Sequence, residues 1–236
     1  MSAERFKVLT FDVVGTLIDF ERGIVNYIRK VAGPTAERIG EDAILEAYRR
    51  SRAAPEAGWY PDDLVRVYAD MAREIGLPAT AGEGEGLRDS IRDWPAFPDS
   101  VAALARLHRR WRLVAMTNAR RWALAHFART LGEPFDDGVT VDDVRFEKPD
   151  PQFFAFARGR LSASGYELED ILHVAQSQYH DIGAARAAGL ATAWIYRRHG
   201  RPGYGGTQVP PRYTPPDFLA VSLDDLVRQY HADLAA

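Results

Sequence analysis

The 236-residue sequence predicts an α/β fold: a parallel sheet with helices on both faces, carrying an all-helical insertion after its first strand. Three observations lead there. The apolar run Phe6 to Phe11 stops abruptly at Asp12 and the Gly15 turn, as a fully buried strand does. From Glu21 to about Asp93 apolar residues recur at helical spacing without strand-like alternation. Beyond "WPAFPDS", short apolar runs alternate with helical stretches of about ten residues, the pattern of βαβ units and therefore of a parallel sheet.

The elements follow in order. "RGIVNYIRKVA", "EDAILEAYRRSR" and "DDLVRVYADMAREIG" predict helices in an insertion of about four, separated by Gly, Pro or Asp. "TAGEGEG" at 80–86 reads as a short flexible joint. A helix from Ser100 to Arg110, the strand "RLVAM", a helix from Arg120 to Leu131 and a short strand near Val139 come next. A helix around Pro151 to Arg160, the strand "ILHVA", the helix "HDIGAARAAG" and the strand "ATAWIY" complete the alternation. Residues 200–216, rich in Gly and Pro, read as a surface loop, and Ser222 is placed to cap a last helix, "SLDDLVRQY".

Composition narrows the function. With 46% hydrophobic residues, 27% charged residues and a formal charge of -3, nothing calls for nucleic acid or an anionic membrane as partner. A small molecule is expected. The absence of cysteine excludes disulfides, thiolate metal sites and a Cys nucleophile. Met1 to Arg5 is polar and no apolar run reaches the length of a signal or a membrane span, so a cytoplasmic protein without a targeting segment is the expectation.

In an open parallel sheet the ligand crevice lies at the carboxyl ends of the strands. Strand one ends in Asp12, "RLVAM" in Thr117 and Asn118, and "ILHVA" runs into Gln176, Ser177 and Asp181, while Lys148 sits in the turn "FEKPDP". Singly, each has an ordinary role as a turn or helix cap or a solvated lysine. Jointly, two carboxylates and a lysine at one crevice point to a nucleophile or acid–base site, with the lysine offsetting carboxylate repulsion and keeping Asp12 ionised.

"FDVVGTLID", "AMTNA", "FEKPDPQFF" and "HVAQSQYHDIGAARAAGL" resemble, in order, the four motifs of the haloacid dehalogenase superfamily, and the resemblance covers nearly the whole chain. It implies a Rossmann-like catalytic core from residues 1–17 and 96–236 and an inserted α-helical cap from 18–95. Superfamily phosphatases carry a second Asp two residues after the nucleophile and a Gly-Asp opening the fourth motif. Here these positions hold Val14 and the pair Ala175 and Gln176, which leaves a Mg²⁺ site short of oxygen ligands; no metal and no cofactor are expected.

The resemblance is to the (S)-2-haloacid dehalogenase branch, which usually has Tyr where this chain has Val14. It implies that Asp12 displaces a leaving group from the α-carbon of a small 2-substituted carboxylic acid through a covalent ester, giving a 2-hydroxy acid. Thr16 would fix Asp12, and Lys148 and Asp181 would orient and activate the system. On the substrate side, Val14, Thr117 and Asn118 lie in motif positions, and Arg49, after Tyr48, matches the Trp-Arg pair whose Arg serves the leaving halide. A solvated basic helix face is the other reading of Arg49. Trp59 and Tyr60 are expected as pocket walls, or else as core packing or loop anchors. Gln176, Ser177 and Gln178 stand where the branch has Ser-Ser-Asn, and Phe154 replaces a Tyr six residues beyond the Lys. His180 reads as a surface histidine at a helix N-terminus. Three alternatives stay open: ring opening of the L-azetidine-2-carboxylate type, a Mg²⁺-dependent phosphatase or phosphonatase, and a non-catalytic binding protein. Dimers are common in the branch, so a homodimer is part of what the resemblance implies, as is closure of the cap over the crevice.

Overall fold

The computed structural model describes residues 5–33 and 38–230. Residues 1–4, 34–37 and 231–236, which include most of the polar start and the outer limits of the expected core, lie outside the described residues. β1 (Val8–Phe11) is buried at every position, as a strand covered on both faces must be. It runs parallel to β2 (Arg112–Met116) on one side and β4 (Ile171–Ala175) on the other. With β3 (Asp137–Val139), β5 (Ala191–Ile195) and β6 (Phe218–Ala220) the sheet has the order β3-β2-β1-β4-β5-β6, parallel throughout. Strand order reverses between β1 and β4, so a crevice opens at their carboxyl ends.

Side-chain alternation divides the apolar core in two. Leu9, Phe11, Leu113, Ala115, Leu172 and Val174 face one cluster. Val8, Val114, Met116 and Ile171 face another, with Phe153, Phe154 and Leu161. The second cluster rests on α8 (Pro151–Ala163), which Asp150 caps by accepting from Gln152 N at 2.8 Å and which begins with Pro at its first position. Ahead of α8 come α5 (Ser100–His108), α6 (Arg121–Thr130) and α7 (Val141–Val144); α9 (Gly183–Ala187) and α10 (Leu223–Tyr230) follow it.

Between β1 and α5 the chain is helical: α1 (Phe20–Ala32), α2 (Glu41–Arg52), α3 (Leu64–Ile75) and α4 (Glu83–Asp89), closed by a 3₁₀ turn at Ser90–Asp93. Asp19 starts α1 by accepting from Arg22 N at 3.1 Å. Ile24, Ile28, Ile44, Val67 and Met71 are fully buried and join the cluster that also holds Leu9 and Phe11, each contributing about 1.5–3 kcal/mol of burial. Trp94 stacks between the segments, 6.4 Å from both Tyr60 and Phe127.

The structure departs from the sequence reading in three places. Residues 83–86, expected in a flexible joint, begin α4: acidic Glu83 and Glu85 occupy its first turn, and a Cβ on Gly84 would lie 2.9 Å from the Val65 carbonyl oxygen, so the glycine permits close helix packing. β6 went unread because three residues at a sheet edge are too short to show a period. The 200–216 loop is not simply surface, since Gly206, Thr207 and Gln208 line the central cavity.

Candidate active site

Asp12 is the first residue after β1, and its backbone N–H extends the ladder to Val174 O at 3.1 Å. The chain then turns at Gly15 (φ +95°), a backbone angle L side chains rarely adopt. The turn brings Thr16 back onto Asp12: the Thr16 hydroxyl donates to Asp12 Oδ2 at 2.6 Å and accepts from Gln176 N at 2.8 Å. One hydroxyl thus ties the ends of β1 and β4 together.

Lys148 reaches the same point from the turn before α8. Its Nζ donates to Asp12 Oδ1 at 3.0 Å, Asp181 Oδ1 at 2.5 Å and Met116 O at 2.7 Å, which uses all three ammonium hydrogens. Asn118 clamps the lysine backbone from β2, donating to Lys148 O at 2.9 Å and accepting from Lys148 N at 2.7 Å. Thr117 is buried and accepts from Ala119 N at 3.1 Å. All three charges are almost wholly out of solvent, at 7% exposure for Asp12, 2% for Lys148 and 0% for Asp181.

Burial shapes the proton affinities. It raises the pKa of Asp12, helped by the negative charge of Asp181, and the nearby Lys148 only partly opposes it. Lys148 opposes the effect of burial at Asp12 without cancelling it. Burial also works against the charge on Asp181, but Lys148 and His173 outweigh it and hold that pKa at about 2. Lys148 is itself raised, because two carboxylates overcome its desolvation.

Above this triad lies a cavity of about 370 Å³. Of the residues singled out from sequence, Asp12, Val14, Tyr60, Thr117, Asn118, Lys148, Gln176, Ser177 and Asp181 line it. Thr16 acts through Asp12 from behind. Four others point elsewhere. Arg49 donates to Gly205 O at 2.7 Å. Trp59 is 37% exposed, with the guanidinium groups of Arg120 and Arg145 over its ring. Phe154 is wholly buried against Phe153 and His173, and Gln178 bonds the Thr214 backbone through both ends of its amide, at 3.2 and 2.9 Å.

The helical segment instead presents Arg52, four residues after Tyr48 and so on the same helix face; both line the cavity. Arg52 pairs with Asp63 at 2.5 Å and Glu147 at 3.2 Å and donates to Gly58 O at 2.8 Å. Burial pushes the Glu147 carboxyl up, with Arg52 opposing. The Tyr60 hydroxyl is buried without a hydrogen-bond partner among the described residues, and burial first, then nearby charges, lift its pKa well above the ordinary 10.0. His180, expected at the surface, lines the cavity; its Nδ1 lies 3.1 Å from Ser177 Oγ, and burial lowers its pKa to about 4. A neutral ring follows at neutral pH. The strap 205–208 closes this side: Gly206 N donates to Glu21, Gln208 to Arg49 O, and Thr207 to Gln176 Oε1 at 3.3 Å.

The donor set is poor for Mg²⁺. Position 14 is apolar, position 176 is an amide, and no group of three or more His, Cys, Asp or Glu able to hold a metal occurs among the described residues.

A carboxylate at the tip of the first strand, joined through a buried lysine to a second carboxylate at the switch point of a doubly wound sheet, defines a hydrolytic enzyme rather than a passive binding fold. The chain belongs to the haloacid dehalogenase-like hydrolase family, whose model matches residues 6–189. It is 28% identical over 197 residues to (S)-2-haloacid dehalogenase 1 of Pseudomonas sp. (strain CBS-3), covering 81% of this chain and 85% of that protein. It is 31% identical over 175 residues to a phosphoserine phosphatase of Thermus thermophilus, covering 70% and 68%. A crystal structure of an L-2-haloacid dehalogenase matches with TM-score 0.74 at 27% identity, covering 96% of this chain and 99% of that one. A defluorinating L-2-haloacid dehalogenase matches with TM-score 0.74 at 25% identity, covering 98% of both chains.

Proposed function

We propose that the protein hydrolyses a small 2-substituted carboxylic acid at its α-carbon, in the manner of an (S)-2-haloacid dehalogenase, with residues 1–17 and 96–236 as the catalytic core and 18–95 as a cap. The observation that carries this is the oxygen of Asp181. Its Oδ1 is taken by Lys148, while Oδ2 is buried with no hydrogen-bond partner among the described residues, on a residue that lines the cavity, which leaves it an acceptor suited to a water molecule.

Asp12 attacks the α-carbon; the carbon–halogen bond breaks with its electron pair leaving on halide, and an ester forms with inversion. Halide is a good leaving group, so Val14 in place of a general acid costs nothing at this step. Arg52, which lines the cavity from the helical segment, is the cation suited to meet the departing anion. Water then attacks Cγ of the Asp12 ester and gives one proton to Asp181, while Lys148 stabilises the oxyanion. Collapse expels the product oxygen, which takes the proton from Asp181 and becomes the 2-hydroxy acid. The remaining proton of the water leaves from Asp12 to solvent.

A second reading is favoured by Glu147, whose carboxylate stands on the cavity wall beside Arg52. An acidic wall suits a substrate that carries an ammonium as well as a carboxylate, so ring opening of a protonated L-azetidine-2-carboxylate, with C–N cleavage, fits the same triad. The phosphatase relative supports a metal-dependent reading only in its overall sequence, not in the donor set.

Product release in EDTA from both enantiomers of 2-chloropropionate, haloacetates and L-azetidine-2-carboxylate, beside p-nitrophenyl phosphate with Mg²⁺, tests the proposal. Turnover of an acid in EDTA that disappears in Asp12→Asn is the expected result. Turnover of the phosphate ester alone, and only with metal, would overturn it.

A further inference from the structure

Resting on the displacement reading above, we infer that His173 is a positioning residue for the hydrolytic half of the reaction: it pins one oxygen of Asp181 and so reserves the other, Oδ2, for the water that cleaves the ester. His173 is the only polar side chain in β4, Ile-Leu-His-Val-Ala, and it is 0% exposed. An imidazole so placed in an apolar strand is costly unless both ring nitrogens are partnered.

They are. The parallel register sets His173 beside Thr10 of β1, and Thr10 Oγ1 lies 2.9 Å from Nδ1. On the other side Nε2 lies 3.1 Å from Asp181 Oδ1. An ionised Asp181 only accepts, so Nε2 carries the hydrogen and donates to it, while the Thr10 hydroxyl partners Nδ1. The Phe154 ring meets the imidazole edge-on at a centroid distance of 5.7 Å and fixes its plane.

The consequence falls on Asp181. Its Oδ1 receives two donors, Lys148 at 2.5 Å and His173 at 3.1 Å, whereas Oδ2 receives none among the described residues. Leaving a buried oxygen in that state is costly. Turning the carboxylate would relieve that cost, and the second donor on Oδ1 resists the turn. Lys148 alone cannot define the orientation, because it also serves Asp12 and Met116 O. The first displacement uses Asp12 and leaves Asp181 unchanged, so His173 bears on ester hydrolysis alone.

The test separates the two steps with bromoacetate, using intact-protein mass spectrometry and bromide release in a single turnover. The chain has no cysteine to be alkylated, and peptide mapping locates the carboxymethyl group. His173→Phe is expected to release bromide at the normal rate and to accumulate the Asp12 ester, with hydrolysis slowed about 10- to 100-fold, part of the 10²–10⁴ that a positioned base supplies. His173→Gln, whose amide can donate from the Nε2 position, is expected to restore hydrolysis, and Thr10→Val to slow it less than His173→Phe. Asp181→Asn serves as the control that must accumulate ester.

Ester in Asp181→Asn but not in His173→Phe overturns the inference and leaves the displacement reading intact. Equal slowing of bromide release and ester hydrolysis, or no rescue by His173→Gln, also overturns it, since either marks a packing role. Absence of ester from every protein, Asp181→Asn included, overturns the displacement reading and this inference with it.

Discussion

Replacing Lys148 by Met tests the electrostatic frame of the site before any substrate is known. The lysine is 2% exposed and donates to Asp12, Asp181 and Met116 O at 3.0, 2.5 and 2.7 Å. Methionine keeps most of the volume and leaves two carboxylates buried without their counter-charge. Removing one partner of a buried ion pair costs about 3–5 kcal/mol, against a total stability on the order of 5–15 kcal/mol, so Lys148→Met is expected to fold with a much reduced urea midpoint.

The pH dependence gives the sign. In the parent the folded-state pKa of Asp181 is about 2, below the ordinary 3.8, so its contribution is present above the unfolded value and lost as pH falls toward 2. Without Lys148 only His173 opposes burial at Asp181, so the folded-state pKa is expected to rise and the carboxylate to cost stability at neutral pH that protonation returns. The deficit of Lys148→Met is therefore largest near pH 7.5 and shrinks toward pH 4. Adding Asp181→Asn should recover part of it at pH 7.5. Urea unfolding of the three proteins at both pH values measures this; a deficit below about 1 kcal/mol, or one that does not change with pH, would refute the account of a paired, desolvated triad.

Other expectations follow from single contacts. Arg52→Met should lower kcat/KM by at least about tenfold, or about 1.4 kcal/mol, whereas Arg49→Met, which loses only the Gly205 contact and a weak pair with Glu46, should stay within about twofold; steady-state kinetics on the acid found active decides. Tyr60→Phe removes a buried hydroxyl without a partner and should raise the unliganded protein's stability by about 1 kcal/mol, read from thermal unfolding; a lower midpoint would show that the hydroxyl is satisfied. His180, whose folded-state pKa lies at about 4, below the ordinary 6.5, makes the fold lose stability as pH falls from 6.5 toward 4; His180→Gln should flatten that limb of the pH–stability curve, and an unchanged limb counts against the burial of the ring.

Much of the core was legible because it depends on sequence-local signals. A strand buried on both faces is a continuous apolar run, and the polar residue that ends it stands at the carboxyl edge of the sheet, which is how Asp12, Asn118 and Lys148 could be placed together before any coordinates. The helical segment was less legible. Its helices were visible, but which basic residue turns inward depends on helix phase: Tyr48 and Arg52 share a face, while Arg49 is rotated away. Trp59 and Tyr60 lie in a turn without periodicity, so nothing local says which of them faces the cavity. The strap at 205–208 was hidden because Gly-rich loops carry no periodicity; its role arises from contacts with Glu21, Arg49 and Gln176, all at least 31 residues away in the chain. His173 did leave a signal, a lone polar residue inside an apolar strand.

The placement of Lys148 between two carboxylates also resolves an apparent conflict in the proposed chemistry. A carboxylate held at a pKa of about 2 is a weak base for water. That value belongs to the resting site, where Lys148 serves Asp12 and Asp181 together. Ester formation cancels the charge on Asp12 and leaves the ammonium to Asp181, so the base is weaker still before water attacks. As attack proceeds, negative charge returns to the Asp12 oxygen beside Nζ, and the ammonium is drawn back toward it. Its hold on Asp181 slackens at that moment, and the affinity of Asp181 for a proton rises with progress along the reaction. In the proposed reaction the lysine would therefore favour the transition state over the ester by moving its charge between two oxygens already within 3.0 Å, without reorganising solvent. An arginine would not do this as well, because its planar fork fixes the donors in space where the ammonium can pivot.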